Sequence, residues 1–145
     1  MKRVFWLEDR VDQISEILMD FHGDPNAEIS HAYDLAQSME FLRTGKPYDL
    51  AIVDVMIPAA ASLPKELRDL ADKHGIHRAT EMGGILLAEW LLVNTTCVVR
   101  LHTQSIEGEL VRYEELRKEY PMQIAYWLKD QVTTEFLRQT LGLIE

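Results

Sequence analysis

Residues Tyr48 to Pro58 read YDLAIVDVMIP. Leu50, Ala51, Ile52 and Val53 form an unbroken apolar run, which suits a strand buried on both faces rather than one. Asp54 ends it, and more apolar residues and a proline follow. A carboxylate in such a place is costly unless it is paired, solvated or bound to a metal. The end of a strand in an α/β fold is also where ligands gather. The plainer reading makes Asp54 a loop cap, so the rest of the chain has to decide.

Outward from this stretch, strand and helix signals alternate. RVFWL (Arg3–Leu7) predicts a first buried strand. Val11, Ile14, Leu18 and Phe21 then have helical spacing, which HGDPN stops. AEISHA is a short second strand, and Leu35, Met39 and Leu42 mark a second helix ended by TGKP. LAIVD is the third strand. GGILLAEWLLV reads as a helix and TCVVRLH as the fourth strand. Ile106, Leu110 and Tyr113 mark a helix ending near Pro121, QIAYWL is the fifth strand, and Val132, Phe136, Leu137 and Leu141 mark the last helix. Five strands separated by helices favour a doubly wound parallel sheet. One segment breaks the alternation: residues 59–82, between Pro58 and Gly83. Within it Leu63, Leu67, Leu70 and Ala71 have helical spacing, with Pro64 near the start and Gly75 near the end. The spacing predicts an extra helix in a long loop.

The chain has 145 residues, which suits one domain spanning 1–145 with insertion 59–82. A formal net charge of −9 without a Lys/Arg run argues against an electrostatic grip on nucleic acid or an anionic membrane. The single cysteine, Cys97, excludes an internal disulfide and fits a reducing compartment as a small buried hydrophobe. The N-terminus MKRVFWLEDR lacks the pattern of a signal peptide. GGILLAEWLLV is too short to span a bilayer and contains Glu89. A cytoplasmic protein is expected.

In a parallel sheet the carboxyl ends of the strands share one edge. Glu8 and Asp9 follow strand one, Asp54 ends strand three, His102 and Thr103 end strand four, and Lys129 ends strand five. Gathered carboxylates need a counter-charge, and Mg²⁺ takes oxygen ligands at ~2.1 Å. Lys129 can pair with a carboxylate or with an added phosphoryl group. Each has a plainer reading: Glu8 and Asp9 as acids at a helix start, Lys129 as a solvated strand-end lysine, Tyr126 as packing. His74 and His77 lack the further ligands of a zinc site.

These residues carry a resemblance to the receiver domains of two-component response regulators. LEDR resembles the family's acidic pair after strand one, DVMIP its phosphoacceptor with a proline four residues on, and Thr103 and Lys129 its strand-end hydroxyl and lysine. Tyr126 stands where the family often has an aromatic residue. The resemblance implies a flavodoxin-like sheet in the order 2-1-3-4-5. It also implies Asp54 as phosphoacceptor, direct Mg²⁺ ligation by Asp9 and the Met56 carbonyl, and a water-mediated role for Glu8. Thr103 and Lys129 would hold phosphoryl oxygens, with Tyr126 as the switch residue. At strand four, His102 and Ser105 rival Thr103, because a one-residue slip swaps faces.

The sequence also departs from the family. The acid pair is Glu-Asp rather than Asp-Asp, and Asp130 replaces the usual proline after the lysine, which predicts a trans bond there. The family's glycine finds its counterpart only in Gly83 or Gly84, beyond the insertion. The insertion could cover the site, dock a partner or make a homodimer contact; a surface helix packed on its own domain is the plainer reading. Three functions follow. The first is a stand-alone receiver phosphorylated on Asp54 by a sensor histidine kinase or phosphotransfer protein and signalling to a downstream protein partner. The second is a pseudo-receiver acting as an interaction module without phosphorylation. The third, an aspartate-nucleophile phosphohydrolase, wants a second acid where Met56 stands. The reading is therefore of a signalling protein and not an enzyme.

Overall fold

Leu50 to Asp54 are all buried, as expected of a strand covered on both faces. In the computed structural model, which describes residues 1–57, 63–73, 83–103 and 110–143, this strand is the centre of a parallel sheet. The strands are β1 (Lys2–Leu7), β2 (Ala27–Ala32), β3 (Leu50–Asp54), β4 (Val98–Thr103) and β5 (Ile124–Leu128). They lie in the order β2-β1-β3-β4-β5, every pair parallel. The helices among the described residues are α1 (Ser15–Phe21), α2 (Leu35–Leu42), α3 (Lys65–Lys73), α4 (Gly83–Asn94), α5 (Leu110–Glu119) and α6 (Thr134–Thr140). This is the flavodoxin-like doubly wound fold.

Strand alternation divides the core in two. Phe5, Leu7, Ala51, Val53, Val99 and Leu101 face one cluster with residues of α2, α3, α4 and α5. Val4, Trp6, Leu50, Ile52 and Trp127 face the other, with residues of α1 and α6. Cys97 is buried, and burial pushes its thiol up to about 12. Among the described residues no helix is long and apolar enough to cross a membrane.

Several boundaries differ from the sequence expectation, each for a local reason. Val11 belongs to a single 3₁₀ turn, Val11–Gln13, and is 50% exposed; α1 begins only after buried Ile14. Val132 is buried but precedes α6, whose start is fixed by the Thr133 hydroxyl accepting from Phe136 N at 3.1 Å. Strand β4 starts two residues late, because Cys97 N is still bonded to the Thr95 hydroxyl at 3.2 Å. Ile106 lies outside the described residues.

The extra helix exists, and its apolar stripe is buried on its own domain. Leu67 is fully buried, Ala71 nearly so, and Leu63 and Leu70 pack against the same cluster. Arg43, which caps α2, grips Glu66 with two hydrogen bonds of 2.7 and 2.8 Å. Pro58, Gly75, His74 and His77 lie outside the described residues.

Helix α4 is covered almost all round, which explains its lack of a polar face. Its one buried charge, Glu89, is paired with Arg112 of α5. The helix begins against the end of β3, with Gly83 N bonded to Ile57 O and Gly84 N to Val55 O. Gly84 makes a close approach: a Cβ there would stand 1.9 Å from the Asp54 carbonyl oxygen. Gly84→Ala should therefore destabilise the fold by about 3 kcal/mol, the upper range for overpacking, since backbone rather than a flexible side chain must give way. Urea unfolding measures it; a loss near 0.5 kcal/mol would mean that α4 shifts freely.

Candidate functional site

Each acid reaches the site because its strand ends there. Glu8 follows β1 directly, and its N–H bonds to Ala32 O at 3.0 Å, extending the pairing of β1 with β2. Asp54 is the last residue of β3 and lies opposite His102 of β4. Glu8, Asp9 and Asp54 each offer a carboxylate oxygen within 4.8 Å of the others. Glu8 and Asp54 are buried, whereas Asp9 is exposed.

Lys129 closes the group. It opens a 3₁₀ turn, Lys129–Gln131, immediately after β5, and its Nζ lies 3.0 Å from Asp54 Oδ2 and 2.9 Å from Glu8 Oε1. The contact with Glu8 Oε1 is not a well-aligned hydrogen bond. A further bond runs from Nζ to Gln13 Oε1 at 3.3 Å. No cis peptide occurs among the described residues, so the Lys129–Asp130 bond is trans as the missing proline implies.

Backbone groups fix the carboxylates further. Met56 N–H donates to Asp54 Oδ1 at 3.0 Å, so the chain folds back over the aspartate and leaves the Met56 side chain exposed. Arg10 N–H donates to Glu8 Oε2 at 3.3 Å. His31 of β2 donates from Nε2 to the Glu8 carbonyl at 2.8 Å, tying β1 to β2 at the rim.

The electrostatics are uneven. Burial, with the Asp54 carboxylate close by, pushes Glu8 up to about 8, against the opposing pull of Lys129. Lys129 loses to burial but gains more from Glu8 and Asp54, so it rises and stays charged. Both partners of the Glu8–Lys129 contact thus hold their protons. Glu8 lies wholly out of water, and burial is the largest cause of its rise. His102 is 3% exposed, with Nδ1 4.0 Å from Glu8 Oε1. Burial, reinforced by Lys129, lowers it to about 4, so it is neutral at pH 7 and makes no ion pair.

The structure therefore brings Glu8, Asp9, Asp54 and Lys129 together. Of the residues considered on β4, His102 comes against Glu8; Thr103 is buried at the strand's last position, paired with Leu128, and Ser105 lies outside the described residues. Tyr126 is 37% exposed, its ring edge-on to Tyr113 of α5 at 5.7 Å. Gln13 and His31 were not legible as site residues: one reaches Lys129 through a 3₁₀ turn and the other acts on a backbone carbonyl, and neither leaves a spacing signal.

No family model and no curated protein matches the sequence. Solved structures do match in fold. The N-terminal domain of a response regulator/sensory box/GGDEF three-domain protein from Carboxydothermus hydrogenoformans aligns with a TM-score of 0.60 at 17% identity, covering 98% of this chain and 95% of that one. A two-component response regulator from Clostridium difficile gives 0.59 at 15%, covering 98% and 93%. The Vibrio cholerae chemotaxis protein CheY4 gives 0.56 at 16%, covering 98% and 97%. The chain thus has the fold of response-regulator receiver domains over nearly its whole length. At these identities the likeness is one of fold.

The shifted groups set a pH dependence for the metal-free protein. Glu8 binds its proton more tightly when folded, so its contribution is full below its ordinary value of 4.5 and is lost as pH rises through about 8. His102 is depressed from 6.5, so its contribution is present above 6.5 and lost as pH falls through about 4. Between 4.5 and 6.5 the two oppose each other; from 6.5 to 8 Glu8 acts alone. Stability should fall across that upper window by up to about 1.4 kcal/mol per pH unit. Glu8→Gln should flatten the fall in urea unfolding midpoints. A slope unchanged in Glu8→Gln would assign it to another group.

Proposed function

We propose that the protein is a phosphoacceptor signalling module, phosphorylated on Asp54 in a Mg²⁺-assisted reaction and signalling through protein contacts. One observation carries this reading: Lys129 Nζ sits between Asp54 and Glu8, with Asp9 beside them, at the carboxyl edge of the sheet. A phosphoryl group arriving there meets an ammonium for its oxygens and a carboxylate for its phosphorus. An Asp54 oxygen forms the new bond to phosphorus while the bond to the leaving group breaks, and the leaving group keeps the electron pair. Such a reaction asks for placement and charge neutralisation more than for covalent help from other side chains.

The donor set suits a hard divalent cation. Its atoms are all oxygens, gathered within 4.8 Å of one another. Asp9, Asp54 and the Met56 carbonyl would hold the ion, with Glu8 acting through water. The ion would supply neutralisation of charge on the phosphoryl oxygens. Lys129 and Thr103 would hold those oxygens, and Tyr126 would repack against Tyr113 as Thr103 moves, carrying the change to the exposed side of β5. The donor would be a sensor histidine kinase or phosphotransfer protein, and the output a protein partner. Met56 leaves no acid two residues after Asp54, which supports a phosphoacceptor over a phosphohydrolase.

The burial of Glu8 beside Asp54, which keeps its proton in place, favours a second reading: an interaction module that works without phosphorylation. Incubation with a small phosphodonor and Mg²⁺, followed by intact mass, separates the two. The wild type should gain one phosphoryl mass and Asp54→Asn should gain none. Equal labelling of both would remove Asp54 from the role, and no labelling with any of several donors would favour the second reading.

Mg²⁺ should also raise the melting temperature through linkage. Asp9→Ala should lose most of that rise. A full response in Asp9→Ala would place the ion elsewhere.

A further inference from the structure

Lys129 has a third partner with no part in the chemistry above. Its Nζ donates to Gln13 Oε1 at 3.3 Å as well as to Asp54 Oδ2 at 3.0 Å. The directed bonds of the ammonium therefore run from a buried carboxylate to an exposed amide. Glu8 Oε1, though only 2.9 Å away, receives no well-aligned bond. A lysine head sits on a flexible four-carbon stem, so its direction is set by whatever accepts from its three N–H groups. Here Asp54 and Gln13 take one each, and the third is not committed.

The chain keeps Gln13 in place. It ends the 3₁₀ turn Val11–Gln13, with Gln13 N–H donating to Arg10 O at 3.0 Å and Ile14 N–H to Val11 O at 3.1 Å. The next residue, Ile14, is buried in the core and anchors the turn. The amide's orientation follows from its partner. An ammonium only donates, so the oxygen and not the NH₂ must face it. Among the described residues the Gln13 side chain makes no other hydrogen bond.

Without this acceptor, the ammonium would be free to turn a second N–H squarely onto Glu8. It would then close on the two buried carboxylates and have less to offer an arriving group. We propose that Gln13 is a positioning residue for phosphoryl transfer: it holds the Lys129 ammonium so that one N–H stays available to a phosphoryl oxygen. This role rests on Asp54 being the phosphoacceptor. Gln13 acts through Lys129 and does not touch the phosphoryl group.

The test compares Gln13→Met, which keeps the length of the side chain but has no oxygen, with Gln13→Glu, which restores an acceptor. Because Gln13 is exposed, both should melt as the wild type does. The first measurement uses ¹³C,¹⁵N-labelled protein without Mg²⁺ or phosphodonor. It reads the three-bond coupling between Nζ and Cγ of Lys129, which reports the rotamer that aims the ammonium. The coupling should change in Gln13→Met and be restored in Gln13→Glu. The second adds Mg²⁺ and acetyl phosphate and follows intact mass with time. An Asp54 oxygen bonds to phosphorus as acetate leaves with the electron pair. Labelling should be about fivefold slower in Gln13→Met, the scale of one lost hydrogen bond. A coupling unchanged in Gln13→Met overturns the proposal, and so does labelling as fast as in the wild type. A wild type that gains no phosphoryl mass is a separate failure: it removes Asp54 as phosphoacceptor, and the role of Gln13 with it.

Discussion

The whole carboxyl edge depends on one ammonium group. Glu8 and Asp54 are two carboxylates with almost no access to water, on neighbouring strands. Without Lys129 the Asp54 carboxylate would lose its cation, and removing one partner of a buried ion pair costs about 3–5 kcal/mol. With it, Asp54 has a partner at 3.0 Å and Glu8 one at 2.9 Å. The lysine comes from the far end of the sequence, so the contact forms only when β5 is docked on β4 and the sheet is complete. The site is thus a consequence of topology: no segment shorter than most of the chain can assemble it.

The two carboxyl groups are also held differently by the backbone. Both share the ammonium, but Asp54 also accepts the Met56 N–H at 3.0 Å, whereas the Arg10 N–H reaches Glu8 only at 3.3 Å. Glu8 also lies 4.0 Å from an uncharged imidazole that does not help to hold a negative charge. Burial then dominates, and the proton stays on Glu8. A cation arriving among the three acids would oppose the same burial, so metal and proton compete for this corner of the rim.

Much of this was legible in the sequence because it rests on period and order. The unbroken run Leu50–Val53 marked the central strand, and the carboxylates and lysine at strand ends had to share an edge once the sheet was parallel. What escaped depended on tertiary detail. Val11 and Val132 match helical spacing, but Val11 lies half-exposed in a 3₁₀ turn and Val132 is buried in the extended link before α6. His102 was visible only as a rival to Thr103, since a strand end read from sequence is uncertain by a residue and adjacent residues point to opposite faces. Gln13 and His31 carry no pattern at all.

The long connection between β3 and α4 shows how extra chain can be accommodated without losing the site. Lengthening a loop adds little closure entropy, about 0.6 kcal/mol for each doubling. The requirement is that both ends still meet the core. At the far end Gly84 meets the Asp54 carbonyl so closely that no side chain fits, which locks α4 against β3 whatever precedes it. In the middle, Leu67 and Ala71 enter the core beside α4, and the Arg43–Glu66 pair ties α3 to α2. The leucine stripe is therefore already used in folding. A partner of α3 itself would have to meet its polar face, so recognition there would rest on charge and hydrogen bonding rather than on apolar burial.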